Sequence, residues 1–500
     1  MPLARNAPRR RRVALSAGGL LIAAAMVGIL PLVVRRVGDA DYWWHIVTAR
    51  WIIDHHALPA HDLFTYTVPG HAWTDHEYLS ELLMYGLGRV GGQLAVSIGL
   101  GAVTWAGFWL ILRRIALRPQ PAIVVALAIA LGAVAGVSIW GPRPQMITFA
   151  FICLELLLIE RFLAGSRRAI YAMPALLLVW ANFHGGFVIA FLFLGLAILI
   201  ELVRWLLDRA DAQARSRAVT LVAATAASAV AGLINPHGVA LYVYSWRTQT
   251  SAVQQAFITE WQSPDFHSLS MRGLEAMIVL LIVGLAARRA RLTAFQVLAA
   301  IAGLVLALQS VRHIAVFVAA ATPLLVWSWG PVAAGLRRPS HGALAALWVA
   351  PRRAMAVVAL FTAAVTVGSL VTLAVLLRHQ AASTLENYPA AAADYLDSHP
   401  TTGTRMFSDY GWGGYMIYRF YPDPNRRVFI FGEADLMGDT IMNEYSDVVG
   451  VKADWLDILN RHGVDYVVYD PGTALTSALA TQPNWHQVYA DSVAVIFVRG

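Results

Sequence analysis

Eleven apolar runs dominate this 500-residue chain, at about 13–34, 93–112, 121–140, 145–163, 169–183, 185–207, 217–234, 273–287, 292–310, 313–330 and 354–377. A bilayer core of about 30 Å is crossed by roughly 20 helical residues, and inside it every backbone N–H and C=O must be paired within the protein. Runs of this length and number predict an α-helical polytopic fold of about eleven spans. The composition agrees: 14% of residues are charged, whereas soluble domains carry about 25%. The first run has the basic flank of a signal peptide but no clear small-residue cleavage site, so it reads as a span.

Arginine placement orients the spans. The N-terminal tail and the connections near 113–118, 161–168, 204–217, 288–291 and 337–353 hold 22 arginines, and the alternate connections hold nine. This predicts a cytoplasmic N-terminus and a tail beyond residue 378 on the outer side, and an even number of spans would break the pattern. The net charge of +8 divides the same way. Residues 1–378 carry +16 and residues 379–500 carry −8, so no part reads as a nucleic-acid surface. Cys153 is the single cysteine, which excludes an intrachain disulfide and a cysteine zinc site. Lys452 is the only lysine against 37 arginines, a skew that suggests a GC-rich, bacterial coding sequence and hence a bacterial inner membrane.

Ionisable side chains inside spans mark ion pathways. Here they are nearly confined to Glu155 and Glu275, neither with an evident partner. The polar residues gather instead at the outer ends, among them Asp39, Asp41, His45, Arg143, Asn182, His184, His237, Arg312 and His313. That distribution favours an enzyme at the outer leaflet over a transporter. The first outer loop, 36–92, is long, and long connections usually carry function. Asp41 precedes a stretch that reads as a short interfacial helix, and a second such helix is expected from near Asp75 through Tyr78, Leu82 and Tyr85.

Asp39 and Asp41 can serve as a general base for an acceptor hydroxyl. They could equally hold a divalent metal, Mg or Mn, against a phosphate, or Asp41 could simply cap the helix that follows. The loop histidines show no zincin spacing such as HExxH. His45 lies one helical turn beyond Asp41, beside Trp44, with Glu77 further along. Arg143, held between two prolines, and Arg312 are candidates for a lipid-linked phosphate, because guanidinium binds phosphate in a bidentate fork. His184, before two glycines, and His313 are expected nearby.

The run GDADYWWHIVTARWIIDHHALP, followed by HDLFTYT, together with the eleven-span layout, resembles the GT-C class of polyprenyl-phosphate-sugar glycosyltransferases. Asp39 and Asp41 match the acidic motif of that class in the first outer loop. FSDYGWGGYMIYRF at 407–420 is similar to the W-W-D-Y-G segment of oligosaccharyltransferase catalytic subunits: Ser408 to Gly411 match, but the paired tryptophans are absent. The class is therefore carried over, and sequon reading is not. The resemblance implies a sugar on polyprenyl phosphate as donor and an envelope glycan, lipid or protein as acceptor. It implies an inverting attack with Asp41 or Asp39 as base, and Arg143 or Arg312 on the departing phosphate. Asp409 and Tyr410 would join Trp44, His45 and Glu77 around the substrates. A non-catalytic exporter or scaffold of envelope glycolipids and a metal-dependent phospho-transferring enzyme are the competing readings.

The division is expected at 378: a multi-span domain over 1–378 and an outer α/β domain over 379–500. In the tail, RRVFIFG and VDYVVYD read as buried strands and WHQVYADSVAVIFVRG as a closing pair. A glycine stop is expected after His462, and GWGGY reads as a tight turn or backbone nest.

Overall fold

The structure, a computed structural model, describes residues 16–287, 289–336, 351–378, 380 and 386–500. Arg5, Arg9 to Arg12, Arg288, Arg337 and Arg338, which served the orientation argument, lie outside the described residues, as does His379 at the expected domain boundary. Each of the eleven apolar runs contains a helix. By length and composition, Tyr78–Ile115, Gly185–Leu207, Leu269–Ala286, Val311–Gly335 and Met355–Arg378 can cross a membrane; Ala17–Val33, Ala122–Ala135 and Ala294–Gln309 are apolar but shorter.

Helix Ile314–Leu336 is the post around which the bundle packs: 89% of its apolar window is buried, against 6% for the span ending at Arg378. Pro323 lies inside it. Lacking an N–H, a proline orphans the carbonyl four residues earlier, here that of Ala319. Arg114 supplies the missing donor from Nη1 at 2.9 Å, and its Nη2 meets Glu160 at 2.7 Å. Both charged side chains are buried. Arg114→Leu would strand Glu160 and the Ala319 carbonyl, and should lower unfolding free energy by about 3–5 kcal/mol. Denaturant unfolding in detergent measures it.

Of the two intramembrane acids singled out above, Glu275 does have a partner, Arg272 Nη1 at 2.6 Å. They lie one turn apart on the same helix, a pairing that spacing could have suggested. Glu155 is fully buried, and neither of its oxygens has a hydrogen-bond partner among the described residues.

The loop at 36–92 contains the two expected helices. Tyr42–His55 follows Asp41, and Tyr78 opens a helix that runs on into the next span through a break at Gly91 and Gly92. Gly92 has φ +61°, a conformation that glycine adopts without penalty.

The tail forms a five-stranded sheet in the order β2-β1-β3-β5-β4, from β1 Arg405–Ser408, β2 Arg427–Val428, β3 Tyr466–Tyr469, β4 Trp485–Ala490 and β5 Val495–Arg499. β1 runs parallel to β2 and β3, and β5 is antiparallel to β3 and β4. The closing strand pair and the glycine stop (Gly463, φ +64°) are as expected. Two expectations change. RRVFIFG gives only a two-residue strand, because Phe429 to Phe431 leave the sheet to pack on the first loop: Thr67 Oγ1 donates to Phe429 O at 2.7 Å, and Phe431 lies against Trp44 and Phe64. GWGGY is no turn; it lies in helix Tyr410–Phe420.

That helix explains its glycines. A Cβ on Gly414 would reach the Ala40 carbonyl at 2.7 Å, and one on Gly413 would press closer still on Ile430 O. Small residues here let the helix seat directly on Tyr42–His55. Trp43 fixes the contact, its ring against Tyr388, Tyr415 and Tyr418. The loop and the tail therefore share one hydrophobic core, separate from that of the bundle.

Candidate active site

Where loop, tail and bundle meet there is a cavity of about 390 Å³. Asp39, Asp41 and Trp44 line it from the first loop, Arg143 and Thr148 from the Gln145–Leu163 helix and its lead-in, and Arg312 and His313 from the start of the central helix. Tyr410 and Glu433 reach it from the tail.

The two aspartates are placed differently. Asp39 Oδ1 accepts the Asp41 N–H at 3.0 Å, and Asp39 Oδ2 lies 2.8 Å from Arg143 Nε. Asp41 occupies the N-cap position of Tyr42–His55 but makes no capping bond. Its Oδ1 instead accepts from Trp44 Nε1 at 3.0 Å. Burial, then the neighbouring charge of Asp39, push the Asp41 carboxyl up to about 7, despite the Trp44 bond.

Arg143 and Arg312 are joined by Glu260. One carboxylate oxygen pairs with Arg143 Nη1, and the other lies 3.9 Å from Arg312 Nη2. Arg312 also stacks over the Trp261 ring at 4.5 Å. Ser310 Oγ donates to Glu260 O at 2.8 Å, tying this segment to the start of the central helix. The chain Asp39–Arg143–Glu260–Arg312 is balanced in charge, so two guanidiniums are held in place before any anion arrives.

Behind Asp41 is a buried group of acids and imidazoles. Glu77 Oε1 lies 3.5 Å from both His45 Nε2 and His76 Nε2, and Oε2 lies 3.7 Å from His184 Nε2. Burial pushes Glu77 up and His76 down, and takes His45 and His184 down to about 3, which favours neutral forms throughout. The glycines after His184 act as expected: a Cβ on Gly185 would press on His76, and one on Gly186 on His184 and Thr148.

His76, Glu77 and His184 offer ligand atoms within 4.8 Å of one another and could hold a metal ion. His184 Nδ1, however, accepts the Gly186 N–H at 2.9 Å. Its neutral ring therefore carries the proton on Nε2, the atom facing Glu77, and ligation there requires that bond to be given up. The Asp39/Asp41 pair fits a metal less well, since three of its four oxygens already face Asp41 N, Arg143 and Trp44.

Arg143, Arg312, His184, His313, Trp44, Glu77 and Tyr410 thus converge with the aspartates on one cavity. His45 stands behind it, bonded to Glu81 at 2.9 Å. Asp409 does not line it; it caps Tyr410–Phe420 through Gly411 N at 2.8 Å. Glu260 and Tyr244 were not anticipated. Tyr244 stacks on His76 and its hydroxyl lies 3.5 Å from Glu433. For Glu260 the one available signal was scarcity, because it and Asp265 are the only acids between 235 and 272.

Gly432 lies so close to Asp41 that a Cβ there would collide with Asp41 Oδ1 and touch Trp44 Nε1 at 3.1 Å. Gly432→Ala should displace the carboxylate and reduce turnover by up to about 100-fold, with the fold retained in circular dichroism.

Loop, tail and bundle in this arrangement give the chain the GT-C-like fold that the sequence resemblance implies, in a multi-pass membrane protein. Among solved structures, ArnT from Cupriavidus metallidurans in the apo state matches with TM-score 0.54 and 16% identity, over 96% of each chain. The same protein bound to undecaprenyl phosphate matches with TM-score 0.50 and 15% identity, over 96% of this chain and 97% of the other. The Archaeoglobus fulgidus oligosaccharyltransferase tethered to an acceptor peptide containing the NVT sequon gives TM-score 0.50 at 14% identity, over 97% of this chain and 74% of the other. At these identities the likeness is one of fold. No family model and no curated protein matches the sequence.

Proposed function

We propose that this protein is an integral membrane glycosyltransferase that moves a sugar from a polyprenyl-phosphate donor to an envelope acceptor at the outer face of a bacterial inner membrane. The observation that carries the reading is the cavity itself, where the Asp41 carboxyl shares the lining with two guanidiniums held in place by Asp39 and Glu260. The fold, shared with a protein solved with undecaprenyl phosphate, supports a donor of that kind.

The chemistry follows from charge. The acceptor hydroxyl attacks the anomeric carbon from the face opposite the phosphate, so the configuration inverts. Asp41 takes the hydroxyl proton as the new C–O bond forms. The bond from the anomeric carbon to the phosphate oxygen breaks, and its electron pair leaves with the lipid phosphate. Arg143 and Arg312 meet charge that grows on that phosphate in the transition state, where a fixed cation is most effective. Asp39 holds Arg143 and is not itself the base. No step requires a metal, and an ion at His76, Glu77 and His184 would polarise groups beside Asp41.

The test is product analysis in lipid vesicles with polyprenyl-phosphate sugars. Glycosyl transfer releases polyprenyl phosphate, whereas phospho-transfer would release the polyprenol. No release above a protein-free control would support an exporter or scaffold and sink the proposal. Because Asp41 acts deprotonated and its pKa is raised to about 7, kcat/KM should fall about tenfold per pH unit below that value and level off above it. A flat profile between pH 5 and 8 would argue against Asp41 as the base.

A further inference from the structure

We propose that the turn between helices Ala190–Leu207 and Ala212–Ala231 binds the headgroup of an anionic phospholipid, on the membrane face opposite the active-site cavity. Ile189, just before the first of these helices, lines the cavity, and 18 helical residues carry the chain about 27 Å away from it. The turn is built around Trp205. Arg209 and Arg215, both exposed, each lay a guanidinium over its indole, with Cζ 4.4 and 5.8 Å from the ring. Stacking fixes the guanidinium plane and leaves its N–H edge available to an anion. The acids of the turn are already engaged. Glu201 and Asp211 pair with Arg204, each at 3.1 Å, and Asp211 also caps the second helix through Ala214 N. Asp208 Oδ1 accepts the Ala210 N–H at 3.0 Å. Among the described residues, neither Arg209 nor Arg215 has a carboxylate partner. Two guanidiniums ordered by one indole and short of an anion suit a phosphate.

The apolar surface beside these arginines identifies the phosphate as a lipid's. Arg215, Val219 and Val222 follow one another at i, i+4 and i+7 along the second helix, and the two valines are 63% and 49% exposed. Leu206 and Leu207, exposed at the end of the first helix, extend that surface. A phosphate on Arg215 therefore has a track for an acyl chain directly beneath it, which free phosphate would not use. The charge must also be net negative. Phosphatidylcholine brings its own cation to its phosphate, whereas phosphatidylglycerol leaves its phosphate to the arginines. A headgroup held here sets the depth of helix Ala190–Leu207 in the bilayer, and the other end of that helix adjoins His184 and its two glycines. No residue of the proposed transfer chemistry takes part, so this inference and that reading can fail separately.

The test is photo-crosslinking in phosphatidylcholine vesicles doped with phosphatidylglycerol that carries a diazirine on one acyl chain, with adducts located by peptide mass spectrometry. Adducts are expected on residues 203–222, displaced by unlabelled phosphatidylglycerol and untouched by inorganic phosphate. Arg209→Gln/Arg215→Gln should raise the half-saturating phosphatidylglycerol fraction about 30-fold, at about fivefold per arginine. Arg167→Gln/Arg168→Gln removes the same charge from another exposed pair, beyond the end of helix Gln145–Leu163 remote from the cavity, and should leave these adducts nearly unchanged. Equal loss in the two double variants would reduce the effect to diffuse surface charge and overturn the proposal. The absence of adducts at 203–222, or adducts indifferent to Arg209→Gln/Arg215→Gln, would also overturn it. Displacement by inorganic phosphate would make the site one for a free anion, and equal labelling by diazirine phosphatidylcholine would make it apolar contact alone. Those last two comparisons use the unsubstituted chain, so they decide the question even if a variant misfolds.

Discussion

Asp41→Asn is expected to lower turnover by about 10²- to 10⁴-fold, the range for loss of a positioned general base, while leaving lipid-phosphate affinity nearly unchanged. The substitution is nearly isosteric, and the Asn carbonyl oxygen can still accept the Trp44 indole N–H. The helix that follows makes no capping bond to this side chain, so its start should survive. What disappears is the oxygen able to take a proton. The residual activity should also lose the rise towards pH 7, because the titrating carboxyl is gone. Steady-state transfer assays across pH, with equilibrium binding of polyprenyl phosphate, separate these effects. Activity within a few-fold of wild type would remove Asp41 from the chemistry.

Arg143→Gln should act on both binding and turnover. Glutamine keeps a hydrogen-bond donor but no charge, so Asp39 and Glu260 would face each other across the cavity without the cation that separates them. Removal of one preorganised group from a developing anion costs about 10²- to 10³-fold in turnover. The donor KM should rise as well, since the phosphate is already anionic in the ground state. Arg143→Lys should recover only part of the loss, because an ammonium cannot bridge two carboxylates in the planar fork that guanidinium provides. An unchanged donor KM with reduced turnover would place the phosphate on Arg312 alone.

Much of this was legible from local patterns. The apolar runs marked the helices, the spacing around Asp41 and Tyr78 marked both loop helices, and the paired glycines after His184 marked a close approach. Arg143 and Arg312 could be singled out because arginine is sparse in the outer connections, nine against 22 on the other side. The remainder depended on contacts distant in sequence. Glu260 has no periodicity to announce it and gains meaning only between two arginines more than 50 residues away on either side in the sequence. Phe429 to Phe431 read as a strand because apolar residues suit one, but they are buried against a loop over 350 residues earlier. The glycines of 411–414 suggested a turn; their smallness instead serves helix packing, which composition alone does not distinguish.

The most direct test of the account is a density map of the protein in lipid with polyprenyl phosphate bound. The account predicts the phosphate between Arg143 and Arg312, at charge-assisted hydrogen-bond distances of about 2.7–2.9 Å, with Asp41 facing the space the sugar would fill. Lipid phosphate bound elsewhere, with both arginines still closed on Asp39 and Glu260, would contradict it.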